Sequence, residues 1–182
     1  VRVIAGSAKA VTLKVPPGKM IRPSLDKVKG AIFNVIGRRV EDARVLDLFA
    51  GTGALGIEAL SRGARHCVFV DSSRVACRTI RTNLAKTKLA ARARIVNASV
   101  AKYFKKRSGE EKFEIVFVDP PYAQRETATA ANEIYENAEY FLNDKRILVF
   151  EHACIVPIPQ HLGPLEVVTH KIHGDTAITF FT

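Results

Sequence analysis

Cysteine is scarce in this chain. Cys67, Cys77 and Cys154 are the only three. They are odd in number, widely spaced and without a Cys-x-x-Cys pair, which argues against both a disulfide framework and a zinc cluster. Reduced, mostly buried thiols are the expectation. The five histidines show no zinc-type spacing either: His170 and His173, three apart in a strand-like run, point to opposite faces. No metal is implied. Long apolar runs are missing too, since none approaches the ~20 residues of a membrane helix, and the first residues lack the charged-then-apolar layout of a secretory leader. A cytoplasmic monomer without a membrane partner is expected, with a few residues trimmed ahead of Val1.

Acidic residues are nearly absent from the first forty positions. Nine Lys and Arg (Arg2, Lys9, Lys14, Lys19, Arg22, Lys27, Lys29, Arg38 and Arg39) face Asp26 alone, a net +8 out of a total of +10. Charge segregated in this way matches a polyanion, of which nucleic acid is the common one; a merely solvated basic face is the plainer reading. Charge alone does not choose between RNA and DNA. The candidate nucleic-acid contacts are Arg2, Lys9, Arg22, Lys27, Lys29, Arg38 and Arg39.

What is present in quantity is apolar. With 182 residues, 47% hydrophobic and 25% charged, the chain fits one domain, residues 1–182, able to bury a sizeable core. From residue 45 short β-branched runs alternate with amphipathic stretches, the pattern of a parallel sheet covered by helices. Strands are expected at Val45–Phe49, Cys67–Asp71, Arg94–Asn97, Glu114–Asp119 and Arg146–Glu151. Helices are expected at Ala54–Ser61, Ser73–Ala85, Val100–Lys106 and Glu126–Ala138. After a loop at Pro157, Pro159 and Pro164, Leu165–Lys171 and Thr176–Phe181 form an antiparallel hairpin turned at His173-Gly174-Asp175. Residues 41–182 are thus the α/β core. Residues 1–40 are a basic extension: two strand-like pieces, Arg2–Ala5 and Val11–Val15, a Pro16-Pro17-Gly18 turn, and a helix opened by Pro23 and Ser24 with Leu25, Val28, Ile32 and Val35 on its apolar stripe.

Two loops carry the chemistry. Asp47-Leu48-Phe49-Ala50-Gly51-Thr52-Gly53-Ala54-Leu55-Gly56 places Gly-x-Gly-x-x-Gly at a strand-to-helix junction, where glycine lets backbone approach a ligand. A dinucleotide enzyme would fit the glycines. Asp47 discriminates, because a carboxylate there disfavours a pyrophosphate and suits the cationic amino-acid moiety of S-adenosylmethionine; its alternative role is to cap a local turn. Asp71, with Ser72 beside it, ends the next strand and can accept hydrogen bonds from ribose hydroxyls, as it would in an NAD enzyme. Ser99 and Val100 would flank adenine, or Asn97 or Ser99 would simply cap a helix.

The second loop is Asp119-Pro120-Pro121-Tyr122, at the carboxyl edge where open α/β sheets bind ligands. An exocyclic base amine is planar and weakly nucleophilic, so it must be desolvated and aligned. The Asp119 carboxylate and the Pro120 carbonyl can accept its two N–H bonds, while Tyr122 stacks on an extruded base. Any planar amine would serve, guanine N2 or adenine N6.

With both loops in place, the sequence resembles the bacterial small-subunit (16S) ribosomal RNA guanine-N2 methyltransferase family, the D type, over nearly its whole length. The similar segments are Arg22-Pro23-Ser24-Leu25-Asp26-Lys27-Val28, Phe33-Asn34, Asp47 through Ala64, Phe117 through Tyr122, and Gly174-Asp175-Thr176. The resemblance implies a class I, Rossmann-like methyltransferase fold, S-adenosylmethionine as donor with S-adenosylhomocysteine as product, and one guanine of 16S ribosomal RNA, carried in the 30S particle, as acceptor. Glu58 matches the family, though a salt bridge on the helix surface explains it equally. Ala8-Lys9-Ala10-Val11 stands where a basic Arg-Gly-Arg stretch is usual, so RNA grip there is expected to differ. Three rival readings stay open: an adenine-N6 methyltransferase, a non-catalytic ribosome-assembly factor that keeps the fold, and an NAD-dependent oxidoreductase, which would need nicotinamide binding by the Gly51 loop.

Overall fold

A strand flanked by neighbours and covered on both faces needs apolar residues at every position. β1 (Arg44–Leu48), β2 (His66–Asp71) and β4 (Phe113–Val118) are buried along almost their whole length. In the computed structural model, which describes residues 1–16, 25–106, 111–121 and 124–182, these strands lie at the centre of one sheet. β3 (Ala93–Asn97) closes one edge, while β5 (Leu142–Ala153), β8 (Thr176–Phe181), β7 (Leu165–His173) and β6 (His161–Leu162) extend the other. The order is β3-β2-β1-β4-β5-β8-β7-β6. β1 to β5 run parallel, and β8 enters antiparallel between β5 and β7.

Period-two alternation sends neighbouring side chains into two separate cores. Val45, Phe69, Ile115 and Phe117 pack with Val28, Ile32, Ile57 and Ile80 of α1 (Leu25–Ile36), α2 (Ala54–Ser61) and α3 (Arg74–Thr87). Leu46, Val68, Val116 and Val118 pack with Tyr103, Ile134 and Phe141 of α4 (Val100–Lys106) and α5 (Gln124–Phe141). Each large side chain so buried contributes on the order of 2 kcal/mol of transfer free energy. The basic first segment joins the first of these cores through Val3, Ala8 and Leu13.

The α/β class, the parallel order and the C-terminal hairpin agree with expectation, α5 and β7 run a few residues longer than expected, and three further details differ. β5 begins at Leu142, earlier than the expected Arg146, because residues 143–146 bulge opposite the single Glu114 before pairing resumes at Ile115 and Ile147. β6 has only two residues, too few for periodicity to show. The expected N-terminal hairpin reduces to one bridge, Arg2 with Thr12. Its cause is a distant partner: past that bridge the Ile4 and Ala5 amides donate to the Glu58 carboxylate at 2.8 and 3.0 Å instead of to a strand. Gly6 then turns the chain at φ +83°, where an added Cβ would lie 1.9 Å from the Ser61 carbonyl oxygen. Pro17, Gly18, Pro23 and Ser24 lie outside the described residues.

Candidate active site

β1 ends where α2 must begin, and the turn between them is made of backbone. Phe49, Gly51 and Gly53 all take left-handed conformations, with φ of +60°, +55° and +76°. For Phe49 that backbone costs on the order of 1–3 kcal/mol, a strain that persists only where the surroundings impose it. Three hydrogen bonds do so here: Ala50 N–H to the Val70 carbonyl at 3.1 Å, Gly53 N–H to the Ala50 carbonyl at 2.6 Å, and Gly51 N–H to Asp71 Oδ2 at 2.8 Å. Gly56 is glycine for packing, since a Cβ would lie 2.4 Å from the Phe69 ring and 2.6 Å from Cys67 Sγ.

Asp47 lies beneath this turn, 2% exposed. Its Oδ2 accepts from Gly56 N–H at 3.0 Å. Burial pushes the carboxyl up to about 8, the Gly56 amide draws it back in part, and the charge on Asp71 adds to the rise. Two carboxyl groups under one turn make poor surroundings for a pyrophosphate, whereas a cation set against them draws off the Asp47 proton and meets two carboxylates. The amino-acid and sulfonium charges of S-adenosylmethionine suit this donor set.

Asp71 is half-buried at the end of β2. Both oxygens take backbone donors, Oδ2 from Gly51 and Oδ1 from Ser73 at 2.8 Å. Each keeps a further lone pair for a hydroxyl. Asn97 ends β3 and donates to the carbonyls of Asp71 and Ser72 at 3.0 and 2.9 Å, so it ties two strand ends together. Ser99 Oγ accepts from Lys102 N–H at 3.3 Å. It caps α4, one of the two roles its position allowed.

Register brings the second loop to the first. Leu48 pairs with Val118, so Asp119 begins the β4 loop beside the Phe49 turn, with its N–H 3.5 Å from the Leu48 carbonyl. Asp119 is half-buried, Pro120 buried and Pro121 exposed. Tyr122 lies outside the described residues.

One polar residue of this region carries no sequence motif. Asn83 of α3, fully buried, accepts from Lys14 N–H at 2.7 Å and donates to the carbonyls of Lys14 and Thr52 at 3.0 and 2.9 Å. It joins the basic segment to the glycine turn. The available signal was spacing: Thr79, Asn83 and Thr87 fall four apart, all buried, as a polar stripe beside the apolar one.

Among the basic candidates, Arg2, Lys9, Lys27, Arg38 and Arg39 are exposed, and Arg22 is outside the described residues. Lys29 is a correction. It is 3% exposed, its ammonium bound to the Arg2 carbonyl at 2.5 Å and to Glu58 at 3.2 Å, so it is not presented to a ligand. Glu58 is corrected with it: this carboxylate is fully buried, held also by Arg62 at 2.8 Å, and is no helix-surface partner.

A parallel sheet of this order with an antiparallel β8, a glycine turn over two acids and an Asp-Pro-Pro loop alongside define a class I S-adenosylmethionine-dependent methyltransferase. All 182 residues match the family described as conserved hypothetical protein 95. The protein YlbH of Bacillus subtilis is 37% identical over 181 residues, covering 99% of this chain and 97% of that one. Ribosomal RNA small subunit methyltransferase D of Escherichia coli K12 is 30% identical, over 100% of this chain and 89% of its own. The solved structure of YhhF from Escherichia coli superposes with a TM-score of 0.85 at 31% identity, over 100% of this chain and 96% of that one. The chain belongs to the ribosomal RNA small subunit methyltransferase D family.

Proposed function

We propose that this protein methylates the exocyclic N2 amine of one guanine in 16S ribosomal RNA, presented in the 30S particle, and that it acts as a cytoplasmic monomer without a metal. The observation that carries the reading is the Leu48–Val118 register, which sets Asp119-Pro120-Pro121 beside the Phe49–Gly53 turn at one sheet edge. The names of the relatives supply the RNA, and the exposed cations of the first forty residues suit it.

In this reading Asp47 faces the cationic amino-acid end of the donor. The backbone of Phe49, Gly51 and Gly53 lies against it, Asp71 and Ser72 meet the ribose hydroxyls, and Ser99 and Val100 border the adenine. The bound donor supplies an electrophilic methyl group. Asp119 and the Pro120 carbonyl accept the two N–H bonds of the guanine amine and aim its nitrogen, while Pro121 stiffens the loop and Tyr122 stacks on the base. Nitrogen gains the methyl and loses one proton, to Asp119 or to water. Arg2, Lys9, Arg22, Lys27, Arg38 and Arg39 hold RNA phosphates.

The test is methyl transfer from labelled S-adenosylmethionine into 30S particles lacking the modification, followed by mapping of the labelled nucleotide. Label at a single guanine N2, lost with Asp119→Ala, is the expected result. Label at adenine N6, or none above the Asp119→Ala background, overturns the reading.

A further inference from the structure

The hairpin of β7 and β8 takes no part in the site described above, yet its tip reaches the same sheet edge. Phe150 pairs with Val118, so His152 lies two residues past that pair just as Pro120 does on the neighbouring strand. β8 starts opposite the end of β5, and β7 ends opposite the start of β8, through the pairs Ala153–Thr176 and His173–Thr176. The tip and the Asp119 loop share the carboxyl edge.

A chain of hydrogen bonds crosses these three strands. His152 is 2% exposed and Thr179 also 2%, while His170 is exposed. His152 Nδ1 is 3.0 Å from the Ala153 carbonyl and its Nε2 is 3.0 Å from Thr179 Oγ1; His170 Nδ1 is 2.9 Å from the same hydroxyl. A carbonyl only accepts, so His152 Nδ1 carries the hydrogen and, in the neutral ring, Nε2 accepts. Thr179 therefore donates its single hydrogen to His152. Its oxygen must then accept from His170 Nδ1–H. This leaves His170 Nε2 as a lone-pair acceptor, with no partner among the described residues. Burial lowers the pKa of His152, hydrogen bonding to the Ala153 and Val156 backbone draws it back in part, and the charge of His170 adds to the fall; the net direction favours the neutral ring from which the chain starts.

A fixed acceptor repels phosphate oxygen and suits a hydroxyl donor. Two residues further along β7, on the same face, Ile172 is 62% exposed and offers an apolar side chain against which a sugar ring can pack. We propose that His170 and Ile172 form a ribose-binding site on the acceptor side of the enzyme, in which His170 Nε2 accepts a hydrogen bond from one 2′-hydroxyl of the substrate RNA and Thr179 and His152 position the ring. A 2′-hydroxyl is what distinguishes RNA from DNA at a single site, so the contact adds strand-type selectivity that the Asp119 loop cannot give. The inference rests on RNA being the substrate.

The experiment uses the full-length protein and a 16S ribosomal RNA transcript carrying randomly placed 2′-deoxynucleotides tagged by phosphorothioates, with bound and unbound molecules separated and sequenced. Wild-type protein is expected to show a position near the methylated nucleotide where the deoxy substitution weakens binding. In His170→Ala that interference disappears and transcript affinity falls about three- to tenfold, with S-adenosylhomocysteine affinity unchanged. Thr179→Val, which keeps the buried shape, is expected to lose the same interference, and His170→Gln, which offers an acceptor at similar reach, to regain part of the affinity. Unchanged interference in His170→Ala, or affinity within twofold of wild type, overturns the ribose site while RNA methylation stands. Interference that disappears from phosphorothioate positions alone overturns it in favour of a phosphate contact. Wild-type protein that neither retains nor methylates the transcript or the 30S particle sinks the RNA reading as well.

Discussion

Asp47 holds its proton in the folded protein over a range where the unfolded chain has released it, between the ordinary 3.8 and about 8. For a carboxyl raised by folding, the stability due to that proton is complete below the unfolded value and is lost as pH rises through the folded one. Asp47→Asn removes this titration and keeps an oxygen for the Gly56 amide. Its melting temperature is expected to exceed that of the wild type at pH 9, with the difference shrinking by pH 5, while calorimetry records at least a tenfold loss of S-adenosylhomocysteine affinity. Equal melting temperatures at pH 9 would show that the carboxyl carries no burial penalty. At Asp119 the expectation is the opposite split. Asp119→Ala lowers the single-turnover methylation rate by about a hundredfold or more, the usual scale for a group aimed at the reacting atoms, and leaves S-adenosylhomocysteine affinity within about twofold. A parallel loss of donor binding would place Asp119 in the donor site instead.

Helix α2 is fixed against the sheet near its start and against the N-terminal segment in its body. At its start, Gly56 packs so closely on Phe69 and Cys67 that Gly56→Ala should cost about 1–3 kcal/mol in urea unfolding, with donor affinity falling as the turn shifts. In its body, Glu58 takes Lys29, Arg62 and two backbone amides. Lys29→Met leaves a buried carboxylate short of one cation, and such losses run to about 3–5 kcal/mol. Because Arg62 and the amides remain, the lower part of that range is expected in urea unfolding. A loss of RNA affinity with full stability would return Lys29 to the nucleic-acid face. The α2 boundaries, Ala54–Ser61, were legible because Gly53 precedes a run of apolar and small residues ending at Arg62-Gly63. Its partner across the core was not, because nothing in the spacing of Lys29 and Glu58 says that a chain turn brings them together.

Over the whole molecule, the basic segment and the two site loops occupy different parts of the chain, and Asn83 ties the first to the glycine turn. Five of the seven basic candidates, Arg2, Lys9, Lys27, Arg38 and Arg39, are exposed on the first forty residues. Replacing Lys9, Lys27 and Arg39 together by alanine should flatten the dependence of RNA binding on salt by about 0.7–0.9 in log–log slope for each phosphate no longer neutralised, with S-adenosylhomocysteine affinity unchanged. A fall of both affinities in proportion would mean that the segment supports the fold and does not grip RNA. Asn83 makes that outcome measurable, because the same side chain holds Lys14 and Thr52.

By itself the sequence determined the α/β class, most strand and helix positions, the glycine turn over Asp47 and the Asp-Pro-Pro loop, because each is written in a local period or a fixed short spacing. Tertiary structure alone decided that Lys29 and Glu58 are buried together, that the first strand pair is a single bridge, and that Asn83 and the His152–Thr179–His170 chain join the segments they do. These depend on which atoms remain unpaired when distant segments meet, and a buried ion or amide takes whatever partner the fold brings within reach. Asp119-Pro120-Pro121 belongs to both accounts. Its residues are readable in three letters, but its place beside the Phe49–Gly53 turn comes from the register of β1 against β4.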